Sequence, residues 1–201
     1  MSAATRRMLA AMLIAVLGAC GTLGSDEPQR YYVLDPGPAK PAAGNPRATA
    51  LLIAPATAPS FYETQEIVFS RAPGERGYYQ FHAWTERPGQ RLTELLVRRI
   101  ERAGSFKVVA TAMSGVQGDL VLNTHLAEFY HDAAQSPGSA RVAITAELMD
   151  STRRALIARR TFERSVPAPT YDAPGAVWAF GRAVAAILGD IAAWVDASAP
   201  R

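Results

Sequence analysis

Two stretches of the chain repeat apolar residues at the spacing of an amphipathic helix. The first begins at Pro88, and its apolar residues recur three or four positions apart while arginine and glutamate fill the other side. Gly104 follows the last apolar position, where a glycine suits the C-terminal cap of a helix. We therefore predict one helix from Pro88 up to Gly104. Its apolar positions are Leu92, Leu95, Leu96, Ile100 and Ala103.

The second helix is predicted over about residues 174–197. Charged Arg182 and Asp190 near its centre would be costly in hydrocarbon, so we expect it to pack across a sheet rather than cross a membrane. We expect its alanine-rich side to face outward, and self-association through that side is a further hypothesis. The predicted inner stripe is Val177, Val184, Ile187, Leu188, Ile191 and Val195, and the outer side carries Trp178, Phe180 and Trp194.

Short apolar and β-branched runs bounded by turn residues predict the strands. The clearest alternation runs over residues 141–149, where every second side chain is apolar, and residues 156–166 complete a meander. The order of elements predicts an α+β fold, a two-layer sandwich of a mainly antiparallel sheet with two helices packed on one face. The other predicted strands cover residues 31–34, 50–54, 67–69, 78–84, 106–110 and 119–130, the last with Leu120, Leu122, Leu126 and Tyr130 on one face.

The first nineteen residues have the three parts of a secretory signal. Arg6 and Arg7 precede an unbroken apolar run over residues 8–17, and two small residues follow it. A helix of that run would be ~15 Å long, against a hydrocarbon core about 30 Å thick, so it is too short to span a membrane comfortably. We predict a signal peptide at residues 1–19, a lipidated cysteine and flexible tether at 20–30, and a single domain at 31–197.

The end of the signal resembles the bacterial lipobox, in which a branched apolar residue and two small ones precede a lipidated cysteine. The matching residues are Leu17, Gly18, Ala19 and Cys20, and Cys20 is the only cysteine of the chain. The alternative is a plain secretory signal with an incidental cysteine. In such lipoproteins an aspartate after the cysteine usually marks inner-membrane retention, and Gly21 stands there. We therefore expect a lipid anchor in the outer membrane, facing the periplasm.

Composition and motifs give no indication of catalysis, nucleic-acid binding or a cofactor. The net charge of +3 includes two arginines of the signal, and no concentrated basic patch suggests nucleic acid. No nucleophile elbow, zinc-protease motif or phosphate loop is present. His125 and His131 are expected on one strand face but ~20 Å apart, too far to share a metal. His82 beside Trp84 is interpreted as a sheet histidine.

Several polar segments are plausible contact sites. Arginine pairs at 98/99, 153/154 and 159/160 suit lipid headgroups or an acidic partner, or simply a solvated face balanced by nearby acids. Loops over residues 60–66 and 131–139 are plausible partner contacts, because loops often carry function.

The chain after the tether resembles the ABC-type transport auxiliary lipoprotein family, whose best-known branch is the PqiC-like subunit of paraquat-inducible membrane-integrity systems. The resemblance spans about residues 31–195 and depends on the order and spacing of several short motifs. These are Tyr31-Tyr32-Val33-Leu34, Ile53-Ala54-Pro55, Pro59-Ser60-Phe61-Tyr62, Ile67-Val68, Trp84 and Asp190-Ile191-Ala192.

The resemblance implies a non-enzymatic partner of an MCE-type lipid transporter. Such a system couples an inner-membrane permease and ATPase to an MCE-domain protein that crosses the periplasm, and the lipoprotein is thought to receive that conduit at the outer membrane. Only Cys20 carries over as a functional residue. The alternatives are a lipoprotein of another envelope export or lipopolysaccharide assembly machine, an envelope hydrolase, and a purely structural lipoprotein.

Overall fold

The computed structural model describes residues 27–38 and 46–200. Within them, eight strands form one sheet and two α-helices cover it. In chain order the elements are β1 (Arg30–Tyr32), β2 (Arg47–Ile53), β3 (Glu66–Ser70), β4 (Gly77–Trp84), α1 (Pro88–Ala103), β5 (Phe106–Thr111), β6 (Leu120–Asp132), β7 (Ser139–Asp150), β8 (Ala155–Pro167) and α2 (Ala173–Ser198), with a 3-10 turn at Ser60–Tyr62 between β2 and β3.

Strand β6 is the centre of the sheet. One of its edges pairs with β7 along its whole length, and β7 pairs in turn with β8, which makes the predicted antiparallel meander. Its other edge is shared by two strands, because β2 pairs with residues 120–122 and β3 with residues 131–132. The segment between β2 and β3 covers the middle of that edge through a single bridge from Thr57 to His125.

The sheet is mainly antiparallel, as predicted, because the long β6–β7–β8 ladders dominate it. Parallel pairs lie at the other side: β2 pairs with both β5 and β6, β3 meets β6, and β1 pairs with β4. Both helices lie on one face, since α1 contacts β5, α2 contacts β7 and β8, and the helices contact each other. The predicted α+β sandwich is confirmed.

The first helix matches its prediction at both ends. It begins at Pro88, and Gly104 ends it in the left-handed conformation with φ of 67°. A proline is favourable in the first turn because the amide hydrogen it lacks would have no partner there. Leu92, Leu96 and Ile100 point into the core.

A bulge in β6 overturns the predicted facing of its second half. The pairing with β7 shifts between Leu126 and Glu128, so two residues of β6 oppose one of β7 and the alternation reverses beyond that point. Phe129, not Tyr130, therefore continues the buried row. The expectation that His125 and His131 share a face is also wrong, because His131 is fully buried while His125 is exposed.

Helix α2 packs on the sheet through an aromatic junction that the sequence pattern missed. Phe180, predicted on the outer side, is 0% exposed and stacks on Phe129 with ring centroids 4.3 Å apart. Trp84 of β4 meets Phe180 edge to face at 5.6 Å. The outward placement of the alanines is also wrong for those that are buried, because small side chains let this helix approach the sheet closely. These are Ala173, Ala176, Ala179, Ala183 and Ala192.

The length and composition of α2 would also suit a membrane span. No other helix in the described part of the chain is long and apolar enough for that. However, 56% of its most apolar window is buried inside the domain. Its C-terminal half is held by Phe162 of β8, whose ring meets Trp194 edge to face, and by an ion pair from Arg164 to Asp190. It is a core helix, as predicted.

Strand β8 forms an outer edge of the sheet. Among the described strands it pairs with β7 alone. Most of its side chains are exposed, including Arg159, Arg160, Glu163 and Arg164, and Phe162 is the buried exception.

Replacing Phe180 with alanine will destabilise the fold far more than the same change at Trp178. Deleting a fully buried aromatic side chain costs about 3–5 kcal/mol, whereas an exposed side chain typically changes stability by only ~0.5 kcal/mol. Trp178 lies two residues away on the same helix and is 54% exposed. Urea unfolding of Phe180→Ala and Trp178→Ala measures the difference. Equal losses in the two variants would contradict the packing described for α2.

Candidate functional site

The residues of the predicted lipid-attachment site, Leu17, Gly18, Ala19 and Cys20, lie outside the described residues. The chain enters β1 at Arg30, ten residues beyond Cys20. An extended segment of that length spans at most ~35 Å. A chain attached at Cys20 therefore keeps the start of the sheet within that distance of the attachment point.

An apolar cleft of about 390 Å³ lies between the segment after β2 and the first turns of α1. Proteins bind small ligands in pockets of about 300–1,000 Å³, so the cleft lies at the small end of that range. Its apolar lining comes from the segment after β2, the 3-10 turn and the turn after β5. These residues are Pro55, Ala56, Ala58, Tyr62 and Met113, and the rest of the lining is Gly89 with polar Glu63, Arg87, Gln90, Thr93, Glu94 and Thr111.

Hydrogen bonds hold the wall of the cleft from both sides. The backbone N–H of Ala56 donates to Oγ1 of Thr93 in α1 at 2.9 Å, and that hydroxyl donates to the carbonyl of Gly89 at 3.1 Å. On the other side, the N–H of Thr57 donates to the carbonyl of Thr124 at 3.0 Å, and its carbonyl accepts from Leu126 at 2.8 Å. The wall is therefore fixed between α1 and β6, and the cleft is preformed.

The chemistry of the cleft is that of an apolar contact surface. Met113 at its mouth is 83% exposed, and a thioether side chain of this kind adapts to partners of different shape. The ring of Tyr62, which lines the cleft, contacts Phe61 at 6.3 Å, and Phe61 forms a partly exposed stacked pair with Tyr78 whose centroids are 4.6 Å apart. Among the described residues that line the cleft, none is a histidine, serine or cysteine. The arrangement can hold an apolar side chain or a short hydrocarbon segment.

The rim of the cleft includes the N-terminal end of α1. Arg87 occupies the capping position without a side-chain cap, and the first turn contains no acidic residue. The N-terminus of a helix carries a partial positive charge from its unpaired N–H groups. Arg87 adds to that charge, and the lining also contains two acidic residues, Glu63 and Glu94.

Each of the three histidines contacts a hydroxyl group, and His82 and His131 both pack against the ring of Tyr79, with ring centroids 6.3 and 6.1 Å from it. Nδ1 of His82 is 3.0 Å from the Tyr32 hydroxyl, and Nδ1 of His125 is 2.9 Å from Oγ1 of Thr57. Across the described part of the chain, no group of three histidine, cysteine or carboxylate side chains could hold a metal ion.

His131 is the buried member of the three and lies in an aromatic cluster. Its Nδ1 is 2.7 Å from the Tyr79 hydroxyl, and its Nε2 is 3.1 Å from the carbonyl of Pro137. Burial lowers the pKa of His131 and raises the pKa of Tyr79 to about 12. A neutral imidazole therefore donates from Nε2 to Pro137 and accepts from Tyr79, which fixes the loop after β6.

The predicted contact segments fall in different places. Loop 60–66 supplies Tyr62 and Glu63 to the cleft, whereas loop 131–139 does not line it. Arg153 and Arg159 pair with Asp150 at 3.7 Å and Glu147 at 3.4 Å, which fits the solvated, balanced face. Sequence reasoning missed the cleft itself. The signal that could have indicated the cleft is Met113, a large apolar residue in the turn after β5.

Two solved structures share this fold. Protein XCC0632 from Xanthomonas campestris, assigned to family DUF330, is 24% identical and superposes with a TM-score of 0.77, covering 84% of this chain and 95% of that one. An uncharacterized protein, 17% identical, gives a TM-score of 0.68 with coverage of 84% and 99%. A comparison with curated proteins finds no match. The class defined by these structures is the two-layer α+β sandwich described above.

The family follows from the sequence itself. The model of the ABC-type transport auxiliary lipoprotein component matches residues 32–192, which include α1, strands β2 to β8 and most of α2. The chain belongs to this family, and the resemblance stated above is confirmed. It is accordingly an auxiliary lipoprotein component of ABC-type transport, associated with the cell envelope and with transporter partners.

The burial of His131 predicts a loss of stability in mild acid. Its pKa in the folded chain is lowered from the ordinary 6.5, so below that pH the unfolded chain takes up a proton that the folded chain excludes. The stability that the neutral His131 side chain contributes is fully present above pH 6.5. It is lost as the pH falls through the lower pKa that His131 has in the folded chain. Melting temperatures between pH 7.5 and 5 should fall more steeply for the native protein than for His131→Gln. Exposed His125→Gln should keep the native slope, and equal slopes for all three proteins would contradict the assignment.

Proposed function

We propose that this chain is an outer-membrane lipoprotein that docks the periplasmic end of an MCE-type lipid transporter and so helps to maintain membrane integrity. The observation that carries the proposal is the family match over residues 32–192. The lipobox at residues 17–20 supports the anchor, and Gly21 after the cysteine supports the outer membrane. Residues 31–197 act as one folded domain on a tether of residues 20–30, without catalysis, cofactor or metal.

The apolar cleft supplies the docking surface in this proposal, and its occupant is an apolar segment of the MCE-domain partner. Its hydrogen-bonded wall leaves little conformational entropy to be lost on binding. Protein interfaces are enriched in methionine and aromatic residues, and exposed Met113 and the partly exposed Phe61–Tyr78 pair provide such residues here. The positive end of α1 at the rim suits a carbonyl or carboxylate of the bound segment.

Site-specific photo-crosslinking in the native cells tests the docking surface. A photo-reactive amino acid at position 113 should capture an MCE-domain protein, identified by mass spectrometry. The matched control is position 156, because Leu156 is also an exposed apolar residue but lies on the edge strand β8. Met113→Glu should reduce co-purification of the partner about tenfold or more, since a carboxylate would have to be desolvated at the contact.

Other outcomes of this experiment would reject the proposal in different ways. Capture of the MCE-domain protein from position 156 but not 113 would move the docking surface away from the cleft. Capture of export or lipopolysaccharide-assembly components instead would show that the partner is one of those machines and not an MCE-type transporter.

Membrane fractionation tests the anchor and its destination separately. The native chain should incorporate radiolabelled fatty acid and sediment with the outer membrane, whereas Cys20→Ser should do neither. Gly21→Asp should keep the label but shift the protein to the inner-membrane fraction. Labelling that persists in Cys20→Ser would exclude this cysteine as the attachment point, and inner-membrane location of the native chain would overturn the proposed localisation.

A further inference from the structure

A second pocket, of about 280 Å³, lies on the other side of α1 from the apolar cleft. The loop after β1 forms part of it through Asp35, Pro36, Gly37 and Pro38, and Leu188 of α2 contributes as well. Helix α1 supplies the rest of the lining, which is mostly basic. These α1 residues are Arg91, Leu95, Arg98, Arg99 and Arg102.

The basic side chains greatly outnumber the acidic ones in this pocket. Asp35 is the single acidic residue of its lining, and its Oδ1 already accepts the N–H of Gly37 at 2.8 Å. Arg91 is the one arginine with firm partners. It is 3.0 Å from Glu94 and 3.7 Å from Glu86, and its Nε donates to the carbonyl of Leu34 at 3.1 Å.

The other three arginines keep most of their hydrogen-bonding capacity. Arg98 reaches Glu94 only at 3.9 Å, and Arg99 donates to the backbone carbonyl of Ala185 at 3.4 Å. Arg102 makes no ion pair with any described residue. Partial burial lowers the pKa of Arg99, and the like charge of Arg102 lowers it further. Residues three apart are neighbours on a helix surface, so the like charges of Arg99 and Arg102 lie on adjacent turns of α1.

The pocket also has an apolar side beneath the charges. Leu95 and Leu188 are buried residues of the core at this point, and two prolines of the loop lie opposite them. A guanidinium group binds phosphate oxygens in a bidentate manner, and several around one anion relieve their mutual repulsion. The lining therefore suits a ligand with a phosphate next to a few carbon atoms.

We propose that the pocket formed by Arg98, Arg99 and Arg102 with the loop over residues 35–38 binds the phosphate of an anionic phosphoester, either a phospholipid headgroup or a free phosphate compound. The pocket volume admits a headgroup and not a whole lipid, whose chains would remain outside. The apolar side of the pocket, formed by Leu95 and Leu188, favours a phospholipid headgroup as the source. The proposal does not depend on the identity of the transporter partner.

Titration calorimetry on the full chain, purified in dodecyl maltoside micelles, tests the pocket. The probes are dioctanoyl phosphatidylglycerol, dioctanoyl glycerol and inorganic phosphate. Phosphatidylglycerol should bind, and dioctanoyl glycerol, which lacks the phosphate, should not. Arg99→Gln/Arg102→Gln should weaken binding about tenfold or more, because both substitutions remove charge-assisted hydrogen bonds to the phosphate.

The matched control is Arg153→Gln/Arg154→Gln, which removes the same charge from the exposed turn between β7 and β8. It should change the affinity by less than about twofold, since surface charges far from a site act through a screened field. Competition by inorganic phosphate identifies a free phosphate as a sufficient ligand, and its failure to compete identifies the lipid headgroup. Absence of binding to the native chain, or equal weakening in both double variants, would overturn the proposal.

Discussion

The stacking of Phe180 on Phe129 joins α2 to the sheet at the point where α2, β4 and β6 meet. Phe129 faces inward because β6 contains a bulge just before it, and Trp84 brings β4 to the same junction. The long meander and the smaller group of β1, β3 and β4 therefore share one core. Without the bulge, this side of β6 would present Tyr130 and Glu128, and neither side chain could replace a buried phenylalanine.

The divided edge of β6 explains how a small sandwich forms a preformed cleft. Because β2 and β3 take opposite ends of that edge, the chain between them must cross its middle, where Thr57 bonds to β6. The crossing segment also packs against α1, where the N–H of Ala56 donates to the hydroxyl of Thr93. The cleft is the space left where this segment and the helix do not meet completely. Helix α1 presents a different face to the basic pocket and therefore contributes to both sites.

Local patterns predicted the elements of this fold well and their relations less well. Helix α1 was predictable because its apolar stripe, first-turn proline and final glycine all act within a few residues. The alternation of β7 was equally clear. The bulge in β6 was not, since one extra residue in a strand changes no local propensity yet reverses every side chain beyond it. Phe180 was misplaced because α2 is apolar on most of its surface, and such a helix does not reveal its buried side. The cleft and the parallel pairs depend on long-range contacts, which no local pattern shows.

The outer edge strand β8 has a consequence for many copies of the chain on one membrane. The proposed lipid anchor would confine the molecules to two dimensions and raise the frequency with which they collide side by side. A free sheet edge invites pairing with an identical edge, which is a route to aggregation. In β8 that meeting would bring Arg159, Arg160 and Arg164 of each copy against one another. The charges of β8 therefore disfavour side-by-side pairing of two copies through this edge.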